Sequence, residues 1–327
     1  MARIKTLIKI FFSLGLLTYL VILAKPQQIA QVLNNIWYNG GIWYLALAIF
    51  IYLLALGVFS IRWQILIRGY GLRISTGLLY KFYLIGLFFN NFLPTAIGGD
   101  VLRIYNLIRE SGERTIGFAS VLTERLSGIT STLILTIISV FILINEFESL
   151  LLLYIAFVAL IGIVIFFFLV FNNSFLEFVT KLVQPIKLFR LGERILKFLD
   201  ALRYYRDRKI IYFQILIISL VAQILIILKI FCLSLALSLN IPFGYLFLVV
   251  PISFLLTMLP SINGIGFREG GYVVLLGKIG ISNAAAISLS FLTILVPMFV
   301  SIWGGLIFLF QKRMPKKEEI EIVKKNL

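Results

Sequence analysis

The sequence predicts an all-α polytopic membrane protein with about six full transmembrane helices and two re-entrant or broken-helix hairpins. Of the 327 residues, 61% are hydrophobic and only 13% are charged, whereas about 25% are charged in typical globular chains. Apolar runs long enough to cross a bilayer recur along the chain, and two further apolar regions are each interrupted by a proline. Too few polar residues remain to coat a soluble core of this length, so the chain requires lipid as its solvent.

Six apolar runs are predicted to span the membrane. A helix rises about 1.5 Å per residue, so crossing a hydrocarbon core of about 30 Å takes about 20 apolar residues. The first run resembles a signal peptide, but no small-residue cleavage site follows it, so we interpret it as a retained helix. The six runs comprise residues 7–24, 42–67, 116–144, 150–171, 210–239 and 282–310.

Two other apolar regions, residues 78–108 and 245–276, are each divided by a Pro/Gly break. Each arm would form a helix of about 21 to 24 Å, which is shorter than the hydrocarbon core. We therefore predict hairpins that enter the membrane, turn and leave on the same side, with two short crossings as the alternative. The predicted turn residues are Pro94, Gly98, Gly99, Pro260, Gly264 and Gly266.

The two breaks resemble each other in sequence. "LPTAIGGD" begins at Leu93 and "LPSINGIG" begins at Leu259, and residues 1–147 and 148–327 share the order span, span, hairpin, span. Because each half makes an odd number of full crossings, the second half enters from the opposite side. We therefore predict one integral membrane domain, residues 1–327, built from two inverted-topology repeats whose broken elements meet near the midplane.

The basic residues have a membrane explanation. They lie between the apolar runs, so the net charge of +16 follows the positive-inside rule and needs no nucleic-acid partner. Segment 172–209 contains "KLFRLGERILKFLDALRYYRDRK", where apolar residues recur at helical spacing among basic ones. This pattern favours a cytoplasmic amphipathic linker that lies on anionic lipids of the inner leaflet, with a solvated basic connector as the alternative.

Charged side chains also occur at membrane depth. Each costs about 2.5 to 3.5 kcal/mol on insertion scales, so such groups usually face a cavity or a partner. Six of them, in opposite-sign sets that sum to zero, form either structural ion pairs or a ligand site. We expect Arg103 and Arg268, together with helix N-termini after the breaks, to bind phosphate through bidentate donors. The candidate binding residues are Asn91, Asp100, Arg103, Glu124, Arg125, Lys229, Asn263, Arg268 and Glu269.

The positions of two basic residues and the absence of certain residue types and motifs limit the kinds of site that the chain can form. Lys229 lies too deep in its span to reach the interface easily, whereas Arg62, near the end of its span, is interpreted as an interfacial anchor. The chain has no histidine, so no histidine metal site or proton relay is predicted. No P-loop motif occurs, and the single cysteine, Cys232, excludes an internal disulfide. We therefore expect neither a metal nor a cofactor.

Three segments resemble a known family. "NNFLPTAIGGDVLR", "TERLSG" and "LPSINGIGFREGG" are similar to the signature segments of the lysylphosphatidylglycerol-synthase transmembrane family. That family includes the flippase domain of MprF-type proteins, YbhN-like proteins and the membrane part of the archaeal glycosyltransferase AglD. The resemblance extends over nearly the whole chain. It implies lipid movement between leaflets in the cytoplasmic membrane of a prokaryote. It also implies that the candidate residues that lie in these three segments are the functional ones.

Three functions follow from these observations. The first is a flippase-like transporter for an anionic, phosphate-bearing lipid or lipid-linked headgroup. The second is a membrane-embedded lipid-modifying transferase or its membrane subunit, and the third is a scaffold for a cytoplasmic enzyme. The chain ends soon after its last predicted span, so we do not expect the aminoacyl-transferase activity of MprF-type proteins and predict no enzyme. A homo-oligomer remains open.

Both chain ends are predicted to face the cytoplasm, with Gly40 and Glu146 near the outer surface. The segments assigned to the inside carry 21 Lys and Arg residues, against Lys25 and Lys278 outside, and such an excess sets orientation. Single cysteines in a Cys232-free background should therefore react with an impermeant thiol reagent from the outside at 40 and 146. Labelling of position 146 from the inside alone would contradict this topology.

Overall fold

The computed structural model describes residues 18–38, 40–92, 98–147, 172–183, 209–259 and 264–310, together with residues 15 and 261 and scattered positions from 154 to 165. Regular secondary structure in these ranges is helical, and no strand occurs within them. The apolar character of the long helices makes this an all-α polytopic membrane protein, which confirms the predicted fold class.

Ten helices are defined in the described part of the chain. Residues 18–23 are also helical and belong to the predicted first span. A short helix that was not predicted follows that span. It has a proline in its first turn, where the missing backbone N–H costs no hydrogen bond. The helices are α1 (Pro26–Asn34), α2 (Gly41–Gly69), α3 (Thr76–Asn90), α4 (Gly98–Ser111), α5 (Arg114–Phe147), α6 (Asn173–Val183), α7 (Lys209–Ala236), α8 (Phe243–Leu256), α9 (Phe267–Gly277) and α10 (Asn283–Leu309).

Four of these helices are long and apolar enough to cross a membrane, and they match four of the six predicted spans. The predicted spans 7–24 and 150–171 lie largely outside the described residues. The total of six crossings therefore stays a prediction. The four long apolar segments are Gly41–Gly69, Arg114–Ile142, Ile210–Ala236 and Asn283–Leu309.

Several other sequence predictions fall outside the described residues. Pro94, Pro260 and Asn263 are among them, and so is most of the predicted linker 172–209. At the start of that linker, α6 is an amphipathic helix whose Phe178 is exposed. An exposed aromatic side chain on such a helix agrees with contact to a membrane surface, while the rest of the linker stays a prediction.

The second predicted hairpin consists of two short helices, α8 and α9, that pack against each other. The Tyr245 hydroxyl at the start of α8 donates to the Leu275 carbonyl near the end of α9, at 2.7 Å. Nearer the turn, Gly264 lies against Thr257. Contacts between the first residues of one helix and the last residues of the other make the pair antiparallel, as a hairpin requires.

The first predicted hairpin likewise consists of two short helices. α3 has 15 residues and α4 has 14, so each is too short to cross a core of about 30 Å as a straight helix. A Cβ at Gly86 would lie 2.9 Å from the Gly99 carbonyl oxygen and 2.8 Å from Cγ of Arg103. Glycine therefore lets α3 and α4 fold closely back on each other. The side on which each hairpin leaves the membrane stays a prediction.

The chain divides into two compact units, and each contains segments from both predicted repeats. The repeats themselves, 1–147 and 148–327, stay a prediction. One unit, the first unit below, comprises residues 1–55, 87–98 and 224–303; the second unit comprises residues 56–86, 99–223 and 304–327.

The first unit contains the α8–α9 hairpin and an apolar cluster at the start of α10. Asn35 donates its side-chain amide to the Leu237 carbonyl at 3.3 Å, and Gly41 packs against the backbone of Ala236. These contacts hold the residues between the first span and α2 against the end of α7. The apolar cluster contains Leu20, Ala24, Ile29, Ala284 and Ile287.

The second unit packs around Trp63, whose side chain is fully buried. Its indole N–H donates to the Ser120 hydroxyl at 3.1 Å, and its ring meets the Tyr83 ring edge-on with centroids 5.6 Å apart. Gly304 of α10 lies directly on the Leu84 backbone. Helices α2, α3 and α5 therefore meet at one aromatic side chain.

Gly86→Ala should destabilise the protein by about 1 to 3 kcal/mol, because the new Cβ would overlap a backbone oxygen that cannot rotate away. Gly77→Ala in the same helix is the matched control, since a Cβ at Gly77 would meet no atom within 4 Å. We expect the control to be neutral or slightly stabilising. Thermal unfolding in detergent measures both, and equal midpoints for the two variants would contradict the close approach of α3 and α4.

Candidate functional site

A buried carboxylate on α5 joins two arginines from other helices. Glu124 is 2% exposed, and its Oε1 accepts from Nη2 of Arg62 at 2.6 Å. Its second oxygen pairs with Nη2 of Arg103 on α4. Asp100, one turn before Arg103, pairs with both Arg103 and Arg125. We call the five residues Arg62, Asp100, Arg103, Glu124 and Arg125 the Glu124 cluster; all belong to the second unit.

Arg103 is held in a fixed orientation within this cluster. Its guanidinium carbon lies 3.6 Å from the ring centroid of Tyr83 and 4.3 Å from that of Trp63, so two aromatic rings stabilise its charge. Both terminal nitrogens donate to carboxylates. A phosphate can use these nitrogens only by competing with Asp100 and Glu124, so Arg103 is not the ready bidentate donor that the sequence suggests.

The structure corrects the role that the sequence suggested for Arg62. It was interpreted as an interfacial anchor, but its side chain is buried and pairs with Glu124. It also donates to the Ser219 hydroxyl of α7 at 2.9 Å. The helix continues to Gly69, which places Arg62 about 10 Å from its end. The available sequence signal was an arginine more than a turn inside an apolar run, but its distant carboxylate partner was not visible.

Charge in the Glu124 cluster does not balance. Three arginines face two carboxylates, so one positive charge is in excess. Three buried N–H groups have no hydrogen-bond partner in the described structure: Nε of Arg62, Nε of Arg103 and the side-chain amide nitrogen of Asn106. Buried donors are nearly always paired in proteins, so these groups favour an oxygen acceptor from beyond the described residues. Sequence patterns alone did not single out Asn106.

A second set of charges surrounds the start of α9. Glu269 is fully buried, and its Oε1 accepts from Arg268 at 2.9 Å and from the Ser290 hydroxyl at 3.3 Å. Its Oε2 accepts from the Gly266 N–H at 2.6 Å, which caps the helix N-terminus. Gly266 has a φ of 88°, a backbone conformation that glycine adopts without strain.

Lys229 is a buried basic residue without a carboxylate partner among the described residues. It is 4% exposed, and its ammonium lies 5.0 Å from the ring centroid of Tyr52. Among the described residues no carboxylate forms an ion pair with it, and the positive charge of Arg268 also acts on it. We call Lys229, Arg268 and Glu269 the Glu269 cluster; it lies in the first unit and has one positive charge in excess.

The structure therefore brings together seven of the nine predicted binding residues, in two groups. Asn91 stands apart from both and donates to the Ser301 hydroxyl at 2.7 Å, while Asn263 lies outside the described residues. The predicted neutral sum of buried charges was incomplete, because it omitted Arg62 and Lys229. Each cluster is positive by one charge.

Comparison with known proteins identifies the family. The family model described as "Lysylphosphatidylglycerol synthase TM region" matches residues 6–304. The chain belongs to this family. A UPF0104 membrane protein of Pyrococcus horikoshii is similar to it, with 23% identity over 300 residues that cover 84% of this chain and 89% of the relative. No solved structure matches the chain significantly.

Membership of the lysylphosphatidylglycerol synthase transmembrane family confirms the resemblance of the three signature segments. The matched range includes every residue of the Glu124 cluster and of the Glu269 cluster. The protein is thus an integral membrane member of a lipid-related family.

Glu124→Gln should destabilise the protein by about 3 to 5 kcal/mol, because it leaves two buried guanidinium groups without their shared carboxylate. The exposed carboxylate Glu113 offers a matched control, and Glu113→Gln should change stability by less than about 0.5 kcal/mol. The thermal unfolding midpoint of each purified variant tests this expectation. A Glu124→Gln variant as stable as the control would mean that the bridge contributes little.

Proposed function

We propose that this protein moves an anionic, phosphate-bearing lipid between the leaflets of the plasma membrane. The observation that carries the proposal is the excess of buried positive charge in each cluster. A buried, uncompensated charge is costly in a membrane, and a bound phosphate would offset that cost. Membership of a lipid-related family supports lipid as the source of the phosphate.

Within the Glu269 cluster, Lys229 and Arg268 are the proposed phosphate donors. Among the described residues Lys229 has no carboxylate partner to release before it binds an anion, and Arg268 is only partly buried, with a side chain 18% exposed. Glu269 holds Arg268 through its Nε and Nη2 atoms, and Nη1, which has no such bond within the described residues, is the proposed ligand donor. Glu269 is thus a positioning residue, fixed in turn by Gly266 and Ser290.

Within the Glu124 cluster, the proposed ligand donors are the Nε–H groups of Arg62 and Arg103, which are buried and lack a hydrogen-bond partner in the described structure. Donors of this kind favour phosphate oxygens over apolar groups. Asp100 and Glu124 hold the guanidinium groups in place.

Reconstitution tests the function directly. Proteoliposomes that contain only this protein and a tail-labelled phosphatidylglycerol should expose the label of the inner leaflet to an added membrane-impermeant quencher faster than protein-free vesicles. Equal rates in the two preparations would contradict transport. Modification of the lipid without movement would instead favour the transferase alternative.

Arg268→Lys should fold and insert but lose most lipid movement. The substitution keeps the positive charge but removes the planar guanidinium group. That group pairs with Glu269 and offers its Nη1 to the phosphate in the wild type. Arg114→Lys at an exposed position is the matched control and should transport at the wild-type rate. Measuring lipid movement in the two variants at equal protein density decides the matter, and equal rates would contradict phosphate recognition by Arg268.

A further inference from the structure

Every buried carboxylate of the two clusters is already paired with arginine. Asp100 and Glu124 pair with arginines of the Glu124 cluster, and Glu269 pairs with Arg268. Glu269 also accepts from a backbone N–H and a hydroxyl. None of the three retains a free charge for an ammonium group of a ligand.

The surroundings of Lys229 are also unfavourable for an ammonium group of a ligand. The groups around its ammonium include the aromatic ring of Tyr52 and the positive charge of Arg268. The ring favours the lysine cation itself and provides no carboxylate for a second cation. A ligand amine at this position would face two positive charges in a poorly solvated site, where like-charge contacts are costly.

Lys229 lies too deep in its helix for its ammonium group to reach the membrane–water interface easily. Lys229 lies seven residues before the end of α7 at Ala236, about 10 Å along the helix, and its side chain is buried within the protein rather than extended along the surface. An anion that enters the site therefore meets a cation with no competing carboxylate partner among the described residues.

We infer that the Glu269 cluster selects phospholipids whose headgroup is anionic and carries no amine, with Lys229 as the residue that determines this selectivity. Phosphatidylglycerol has the required chemistry. Phosphatidylethanolamine and lysylphosphatidylglycerol do not, although the second of these gives the family its name. The inference rests on the proposed lipid function of the same cluster and specifies the headgroup that it accepts.

Binding and transport are measured separately, so that each claim has its own test. For binding, short-chain phosphatidylglycerol, phosphatidylethanolamine and lysylphosphatidylglycerol are added in turn to the full-length protein in detergent, and the rise in its unfolding midpoint is followed with lipid concentration. The wild type should bind phosphatidylglycerol at least about tenfold more tightly than either amine-bearing lipid. Equal affinities in the wild type would overturn the inference.

Lys229→Gln identifies the residue responsible. The variant removes a buried charge that has no carboxylate partner in the described structure, so we expect it to fold at least as well as the wild type. Its preference for phosphatidylglycerol should fall to within about threefold. Lys81→Gln, which removes one exposed positive charge, should keep the full preference. An unchanged preference in Lys229→Gln would overturn the role of Lys229.

The transport arm uses proteoliposomes that contain tail-labelled versions of the same lipids. Faster movement of phosphatidylglycerol than of lysylphosphatidylglycerol supports the inference, and equal movement of both overturns it while leaving the proposed transport function intact. Selective binding without movement of any lipid supports the headgroup selectivity and contradicts the transport function. The two failures are therefore distinguishable.

Discussion

The polar interior of the second unit depends on the shared carboxylate of Glu124. The hydrophobic effect provides little driving force between helices in a bilayer, because lipid tails are as apolar as leucine. The bridge from Glu124 to Arg62 and Arg103 instead ties α5 to α2 and α4 through charge-assisted hydrogen bonds. Removal of the Glu124 carboxylate would raise the uncompensated positive charge of the cluster by one, beside the buried guanidinium groups of Arg62 and Arg103. The packing of each of these three helices therefore depends on the other two.

The arginines of the Glu124 cluster and Lys229 of the Glu269 cluster differ in their partners. In the Glu124 cluster, the terminal nitrogens of Arg103 are fixed by carboxylates and its faces lie near aromatic rings. In the Glu269 cluster, Lys229 has no carboxylate partner among the described residues. Buried arginines that form ion pairs across helices and a buried lysine without such a pair in the described residues are thus both present.

Sequence patterns predicted the fold well because membrane solvation acts on composition and length. Four of the long spans and both pairs of short helices follow from apolar runs and their breaks. The site was less predictable, since partners are set by tertiary packing. Arg62 and Glu124 are 62 residues apart, and Asn106 carries no motif that marks it as buried. The lack of a carboxylate partner for Lys229 in the described structure also became visible only when the surrounding helices were in place.

Buried, uncompensated positive charge is proposed to bind an anionic lipid. Native mass spectrometry of the protein, purified in mild detergent from its membrane, tests it most directly because the lipid is chosen by the protein itself. The account predicts retained phospholipid that is enriched in anionic, amine-free species over their proportion in that membrane. Retained lipid with the bulk composition of the membrane, or enriched in amine-bearing headgroups, would contradict the account.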